Sequence, residues 1–198
     1  MAGARLAKEK GAFPKFDLGG YQKGEQFAAL PEAVQANIVK YGLRNSHYTS
    51  IAPTGTIGIL AGTTTGIEPL YAVAYRRRYL KGNTEWAYQY VVDSVAETLV
   101  EEGGLNPDYI ETSLDLACAP HKRLEMQAFV QDYVDQGISS TVNLSHWGSE
   151  DNGPDHVEEI AALIAEYAPR LRGLTFYPDG ARGGRYLTNL FDPMPGIW

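Results

Sequence analysis

The sequence predicts an α/β protein in which strands alternate with helices and pair largely in parallel. Two observations carry this expectation. Apolar residues recur every three or four positions in several segments, and short runs rich in β-branched and aromatic residues lie between them. Gly- and Pro-bearing turns punctuate the junctions. Only about four strands are visible. A parallel sheet of that size leaves two unpaired edges, so it belongs with a partner or with a larger sheet or barrel.

The elements follow in order. Residues 1–9 read as the end of a helix, and 10–29, rich in Gly, Lys and aromatics, as an irregular connection. Leu30, Val34 and Ile38 are four apart, which predicts a helix over 31–41 with one apolar stripe. Tyr48 to Ala52 reads as a short buried strand that Pro53 stops, because proline lacks a backbone donor and fixes its own φ. Ile57 to Leu60 starts a helix, and Gly62 to Pro69 is a polar, glycine-bounded loop. Tyr71 to Leu80 is aromatic and branched enough to be a strand. Asn83 or Thr84 caps a long helix to about Glu102, with Trp86, Tyr90, Val91, Val95 and Leu99 on one face and Gly103-Gly104 at its end.

Residues 121–136 read as a helix with Met126, Phe129, Val130, Tyr133 and Val134 inward and Gly137 as its stop. Ile138 to Leu144 is a strand. Asp155 and Glu158 have capping-box spacing before a helix to about Ala168, whose stripe is Val157, Ile160, Ala161 and Ile164. Leu174 to Tyr177 is a last short strand, and Pro178-Asp179-Gly180 turns after it. From about residue 180 the chain is Gly- and Pro-rich and reads as an irregular tail. No internal repeat or low-complexity segment divides residues 1–198, which read as a single domain.

Composition narrows the function classes. The 198 residues are 44% hydrophobic and 21% charged, which fits a folded globular protein. No apolar run approaches the roughly 20 residues of a membrane span. The N-terminus lacks the apolar core of a secretion signal, so a cytoplasmic location and no membrane partner are expected. The formal net charge of −7 argues against nucleic acid as a partner. The single cysteine, Cys118, rules out a disulfide framework and reads as a buried, inert thiol in an apolar stretch. The four histidines are scattered without helical ligand spacing, so no protein-built metal site is expected.

The candidate site is the turn Pro53, Thr54, Gly55, Thr56 and Ile57. A strand that ends at proline and a helix that starts after Thr-Gly-Thr aim backbone N–H groups, and the positive end of the helix dipole, at one point. Gly55 lets an anion approach the backbone, and the two threonine hydroxyls add donors. The turn lacks the lysine of a Walker loop and the three glycines of a dinucleotide fold. An ordinary strand-to-helix connection uses the same residue types.

These residues also carry a family resemblance. Arg44-Asn45-Ser46, Ile51 to Ile57 and Thr65-Gly66-Ile67-Glu68-Pro69, followed by Val134 to Leu144 and Arg172 to Arg182, resemble the C-terminal part of class II, adenosylcobalamin-dependent ribonucleotide reductases. The motifs occur in the family's order and span about Ala4 to about Arg185. The resemblance implies the C-terminal half of a ten-stranded α/β barrel, incomplete on its own. It implies reduction of ribonucleotides to deoxyribonucleotides by a thiyl radical mechanism. Pro53 to Ile57 matches the family's clamp for substrate phosphates.

The departures shape the expectation. The family's Asn-x-Cys-x-Glu finger loop and its reducing cysteine pair are absent from this chain, so no residue is assigned a catalytic role. Ser140 stands where many members carry lysine, and Gly58 where many carry serine. The chain is therefore expected to be the smaller chain of a split reductase. A larger chain would bring the finger loop and hold most of the adenosylcobalamin. The alternatives are a non-enzymatic nucleotide-phosphate-binding module or a truncated reductase fragment.

Four further features have plainer readings. Glu68 is a possible carboxylate near substrate, but also a loop carboxylate that caps a helix or pairs with an arginine. Strand alternation sends Arg76 and Arg78 to one face and Arg77 to the other, which suits solvated or salt-bridged arginines better than a phosphate clamp. Tyr177 reads as a packing or hydrogen-bonding residue, and His47 as a satisfied histidine of the barrel.

Overall fold

The computed structural model describes residues 2–82 and 85–179. They group into two compact units, residues 1–49 and a second that begins at Ser50.

The first unit is helical: α1 (Ala2–Lys10), α2 (Leu18–Gln22), α3 (Glu25–Ala28) and α4 (Glu32–Tyr41). Ala4, Phe27, Ile38 and Leu43 form its core, with Phe13, Phe16, Leu18, Leu30 and Val34 packed against it. The four-residue spacing of Leu30, Val34 and Ile38 thus marks the buried face of α4. Gly42 ends α4 at φ 72°, where its N–H reaches the Ile38 carbonyl at 2.8 Å. That left-handed conformation favours glycine, and a Cβ there would meet Ala12 Cβ at 2.8 Å. Residues 10–29 are more ordered than expected. Edge-to-face contacts of Phe13 with Phe16 and of Tyr21 with Phe27 organise two short helices where the composition suggested an irregular connection.

The second unit mixes strands and helices. It contains α5 (Gly55–Ala61), β1 (Ala74–Lys81), β2 (Glu85–Val92), α6 (Ser94–Glu101), α7 (Pro120–Gln131), β3 (Val142–Leu144), α8 (Val157–Tyr167) and β4 (Phe176–Pro178). The α/β class is as expected, but the strand pairing is only half parallel. β3 and β4 run parallel, with Asn143 opposite Tyr177, whereas β1 and β2 form an antiparallel hairpin. Tyr48 to Ala52 does not form a strand. It contributes one parallel bridge, Ile51 to Ile138, and Tyr48 is 49% exposed.

The long helix expected from residue 83 to about Glu102 is corrected to a strand followed by a two-turn helix. Asn83 and Thr84, its expected caps, lie outside the described residues. Trp86 and Tyr90 are four apart, which satisfies a period of two as well as a helical one. Tyr88 between them and Val91-Val92 after them complete a β-favouring run. The cap of α6 is instead Asp93, whose Oδ1 accepts the N–H groups of Val95 at 2.9 Å and Ala96 at 3.3 Å. Gly103 and Gly104 close the helix, as expected.

The faces of two helices also differ from expectation. In α7 the buried residues are Arg123, Leu124, Gln127, Ala128 and Gln131, while Met126 and Phe129 are exposed, as is Tyr133 just beyond the helix. The polar stripe turns inward because its members are hydrogen-bonded there. Gln127 donates to the Gly173 carbonyl at 2.9 Å, and Gln131 to the carbonyls of Val134 and Gln136. In α8 the packed stripe is Ile160, Leu163 and Tyr167, and Val157 is exposed. Asp155 lies in a 3-10 turn (Pro154–His156), and α8 has no side-chain cap. The main core joins Leu124, Val142 and Leu144 to that stripe and to Leu171, Leu174 and Phe176. Cys118 is exposed rather than buried, with its thiol donating to the Asp115 carbonyl at 3.0 Å.

Candidate functional site

A cavity of about 500 Å³ opens where the 63–71 loop meets residues 139–143 and the end of β4. Its position follows from the chain. The parallel pairing of β3 with β4 sets Asn143 beside Tyr177, and both line the cavity. Thr63, Thr64 and Thr65 come from the glycine-bounded loop, and Ser113, Ser139 and Thr141 add hydroxyls. The described lining carries three carboxylates, Glu68, Asp93 and Asp179, and no cationic side chain. The volume suits one small ligand, and the lining offers it hydrogen bonds on several sides.

Glu68 is the best-fixed group of this lining. Its Oε2 accepts from Arg123 Nη2 at 2.6 Å, and its Oε1 accepts the Thr141 N–H at 2.7 Å. The pairing reading of Glu68 therefore holds, and Glu68 faces the cavity as well. Burial pushes its carboxyl above the ordinary value, and the Thr141 hydrogen bond and the Arg123 charge offset part of that rise. Burial lowers Arg123 in turn, opposed by Glu68. The Tyr71 phenol is raised by burial and then by the neighbouring Asp179 carboxylate.

The five residues of the expected phosphate turn are placed differently from one another. Pro53 lines the cavity. Thr54 adopts φ 42°, unusual for a β-branched residue, and its hydroxyl accepts the Gly66 N–H at 3.1 Å. Gly55 opens α5, and a Cβ there would meet nothing within 4 Å. The first helical bond runs from the Gly58 N–H to the Thr54 carbonyl at 2.7 Å. The amides of Gly55, Thr56 and Ile57 precede it, as first-turn amides of a helix do. Thr56 is exposed, and the Ile57 side chain is 69% exposed.

Other singled-out residues fall into place. Tyr177 is half-buried in the cavity wall. His47 is exposed, with Ser46 Oγ 2.9 Å from its Nδ1, rather than enclosed in a barrel. The side chains of Arg76, Arg77 and Arg78 lie outside the described part of the structure, although register sets Arg76 opposite Tyr90 and Arg78 opposite Tyr88. Among the described residues no group of three or more His, Cys, Asp or Glu could hold a metal. None of their helices is long and apolar enough to cross a membrane.

Sequence reasoning missed Arg123 and Asn143. The signal for Arg123 was present. Arg123, Gln127 and Gln131 recur at four-residue spacing, which is a polar stripe on one helix face.

Comparison with known proteins sets this geometry in context. The family model "Ribonucleotide reductase, barrel domain" matches residues 1–168. The chain belongs to this family. A vitamin B12-dependent ribonucleoside-diphosphate reductase of Mycobacterium tuberculosis (strain CDC 1551 / Oshkosh) is 30% identical over 209 residues, covering 95% of this chain and 26% of the relative. One of the same name from Thermoplasma acidophilum is 28% identical, covering 94% of this chain and 24% of its own length. A crystal structure described as a B-12 dependent (class II) ribonucleotide reductase aligns with 88% of this chain and 23% of its own, at 16% identity and a TM-score of 0.49. The chain thus spans about a quarter of the length of these relatives. The family is that of an α/β barrel, although the described strands do not close one.

Proposed function

We propose that this chain is the smaller chain of a split adenosylcobalamin-dependent ribonucleotide reductase, forming the C-terminal half of a ten-stranded barrel. One observation carries the reading. Nearly the whole chain, 95%, aligns with a B12-dependent reductase, which supports the reductase part of the reading. In this reading Pro53, Thr54, Gly55, Thr56 and Ile57 receive the substrate phosphates, and the neighbouring cavity receives the ribose. Open space around Gly55 supports the first assignment, and the hydroxyl- and amide-rich lining supports the second. With no cation in the described lining, phosphate binding falls to backbone amides and threonine hydroxyls.

The same reading sends the radical chemistry elsewhere. Cys118 is the chain's one cysteine and is not among the lining residues, so a larger chain supplies the thiyl radical and the reducing thiols through an Asn-x-Cys-x-Glu finger loop. The cavity of about 500 Å³ fits one small ligand. In this reading adenosylcobalamin is held mostly by the larger chain. Association would cover the exposed Met126, Phe129 and Tyr133 and the aromatic row Trp86, Tyr88 and Tyr90. An obligate interface of this kind exceeds roughly 2,000 Å² in total. The assembled enzyme is assigned to the cytoplasm.

Mixing tests the proposal. Ribonucleotide reduction that depends on adenosylcobalamin is expected only when both chains are present. A stable monomer, inactive with every candidate larger chain yet able to bind a ribonucleoside diphosphate, would overturn it. That outcome favours the binding module.

A further inference from the structure

We propose that Arg123 is the positioning residue of this cavity: from the buried face of α7 its guanidinium locks Glu68 and the 139–141 segment into one arrangement. Only the nucleotide arm of the test below rests on the reading given under Proposed function.

Arg123 is not among the residues that line the cavity, yet it bonds to those that shape it. Nη1 donates to the Ile67 carbonyl at 3.1 Å, and Nη2 donates to Glu68 Oε2 at 2.6 Å and to Ser140 Oγ at 2.8 Å. Glu68 completes the link by accepting the Thr141 N–H. One side chain, 6% exposed, thereby ties together two segments more than seventy residues apart in sequence. A guanidinium removed from water requires partners for its protons, and its planar fork fixes their directions. A carboxylate bound at both oxygens loses its freedom to rotate. When ionised it meets the cavity as a fixed acceptor, because an ionised carboxylate has no proton to donate. No other cationic side chain is described at this carboxylate. The ionisable groups that share the cavity with it are Asp93, Asp179, Tyr71, Tyr75 and Tyr177, none of which is a cation.

Ser140 gives the proposal a specific corollary. Its Oγ and Glu68 Oε2 are bonded to the same Nη2. A longer cationic side chain at position 140 therefore reaches the space the guanidinium fills. The positioning role belongs to a cation at this point, and position 140 is a second place from which to supply it.

The test uses the full chain and four variants: Arg123→Lys, Arg123→Met, Arg123→Met/Ser140→Lys and Glu68→Gln. The first readout is the titration of the Glu68 carboxyl, followed by carbon-13 NMR and assigned with Glu68→Gln. In Arg123→Met it is expected to move to higher pH, because the favourable charge is gone. In the double variant and in Arg123→Lys it is expected to return toward its original position. A merely space-filling role for Arg123 leaves the titration unmoved in Arg123→Met, and that result overturns the proposal. If Arg123→Met does not fold, Arg123→Met/Ser140→Lys decides. Failure of the added lysine to restore both fold and titration refutes the exchange of cations. The second readout is ADP affinity. Glu68→Gln is expected to weaken it about tenfold, the loss of one hydrogen bond to a charged group, and Arg123→Met about as much by releasing Glu68. Combining the two substitutions is expected to add little. If the unaltered chain does not bind ADP, the nucleotide reading fails while the titration still decides the role of Arg123.

Discussion

Gly58→Ala is expected to shift the cavity's threonine loop, and the size of the effect can be worked from distances. Gly58 is buried in the middle of α5, and its carbonyl accepts the Thr63 N–H at 3.1 Å. A Cβ would stand 2.5 Å from Thr65 Cγ2, with the carbonyl oxygens of Thr63 and Thr64 at 3.4 and 3.5 Å. Carbon atoms rest about 3.5–4.0 Å apart, so the methyl must retreat by about 1 Å or more. Thr65 is stiff at χ1, and its carbonyl is held by the Glu68 N–H at 2.9 Å, so the loop moves with it. Overpacking of this kind costs about 1–3 kcal/mol. Replacing glycine by alanine inside a helix returns about 1 kcal/mol. The net is a loss of about 0–2 kcal/mol in the unaltered background. Thr65→Ser removes the obstructing methyl, and there Gly58→Ala gains up to about 1 kcal/mol. The coupling between the two positions is therefore about 1–3 kcal/mol. Native-state amide exchange of α5 in the four proteins measures it, because exchange reads local stability. Additivity within about 0.5 kcal/mol would refute the packing argument.

Three other outcomes are expected. Gly55→Val leaves the fold intact, since its Cβ meets nothing within 4 Å, but abolishes ADP binding by blocking approach to the turn; circular dichroism and calorimetry separate the two, and normal binding removes the phosphate assignment. Cys118→Ser keeps turnover of the assembled enzyme within a few-fold, and the exposed thiol reacts with a maleimide in the folded chain; complete loss of turnover with an intact fold would give this cysteine a chemical role. Glu68 has a folded pKa above its ordinary 4.5, so between those two values the folded chain binds more protons than the unfolded one. Its contribution is therefore fully present below 4.5 and is lost as pH rises through the folded pKa, so the chain loses stability relative to Glu68→Gln over that interval. Urea unfolding of both proteins across the acid range checks the sign, and the opposite slope would mean that the Arg123 pair outweighs burial.

What was legible in the sequence was whatever a single periodicity decides. The Leu30, Val34 and Ile38 stripe gave α4, because only a helix places those three on one face and nothing in the segment competes. The Glu85–Val92 run reads as helix because its Trp86–Tyr90 spacing fits both periods, and the cap that ends the ambiguity, Asp93, lies inside the expected helix rather than before it. Tyr48 to Ala52 has strand-forming residues but pairs only through Ile51. A strand needs a neighbour, and propensity does not supply one. The candidate site was half legible for a related reason. A turn such as Thr54-Gly55-Thr56 is local and can be read from its own residues. The cavity is not local, since it joins a loop at 63–71 to residues near 140 and 178.

Helix α7 shows why hydrophobic patterning misses a buried polar face. The reading placed Met126, Phe129 and Tyr133 inward because burying apolar area is the usual driving force. In this helix the inward side is instead set by Arg123, Gln127 and Gln131, each of which finds backbone or side-chain partners in segments distant in sequence or just past the helix end. Such a face is stable because most of its polar atoms find partners there; Gln127 Oε1 has none among the described residues, and an unpaired polar group in the interior costs about 1–3 kcal/mol. Helix propensity and apolar periodicity contain no term for those partners. The information lies in residues 67–68, 140 and 172–173, and it becomes readable only once the fold has brought them to the helix. The same rearrangement leaves an aromatic surface on the outer side of α7. Within the split-reductase reading, one helix thereby serves two purposes: its polar side braces the cavity from behind, and its apolar side faces the larger chain.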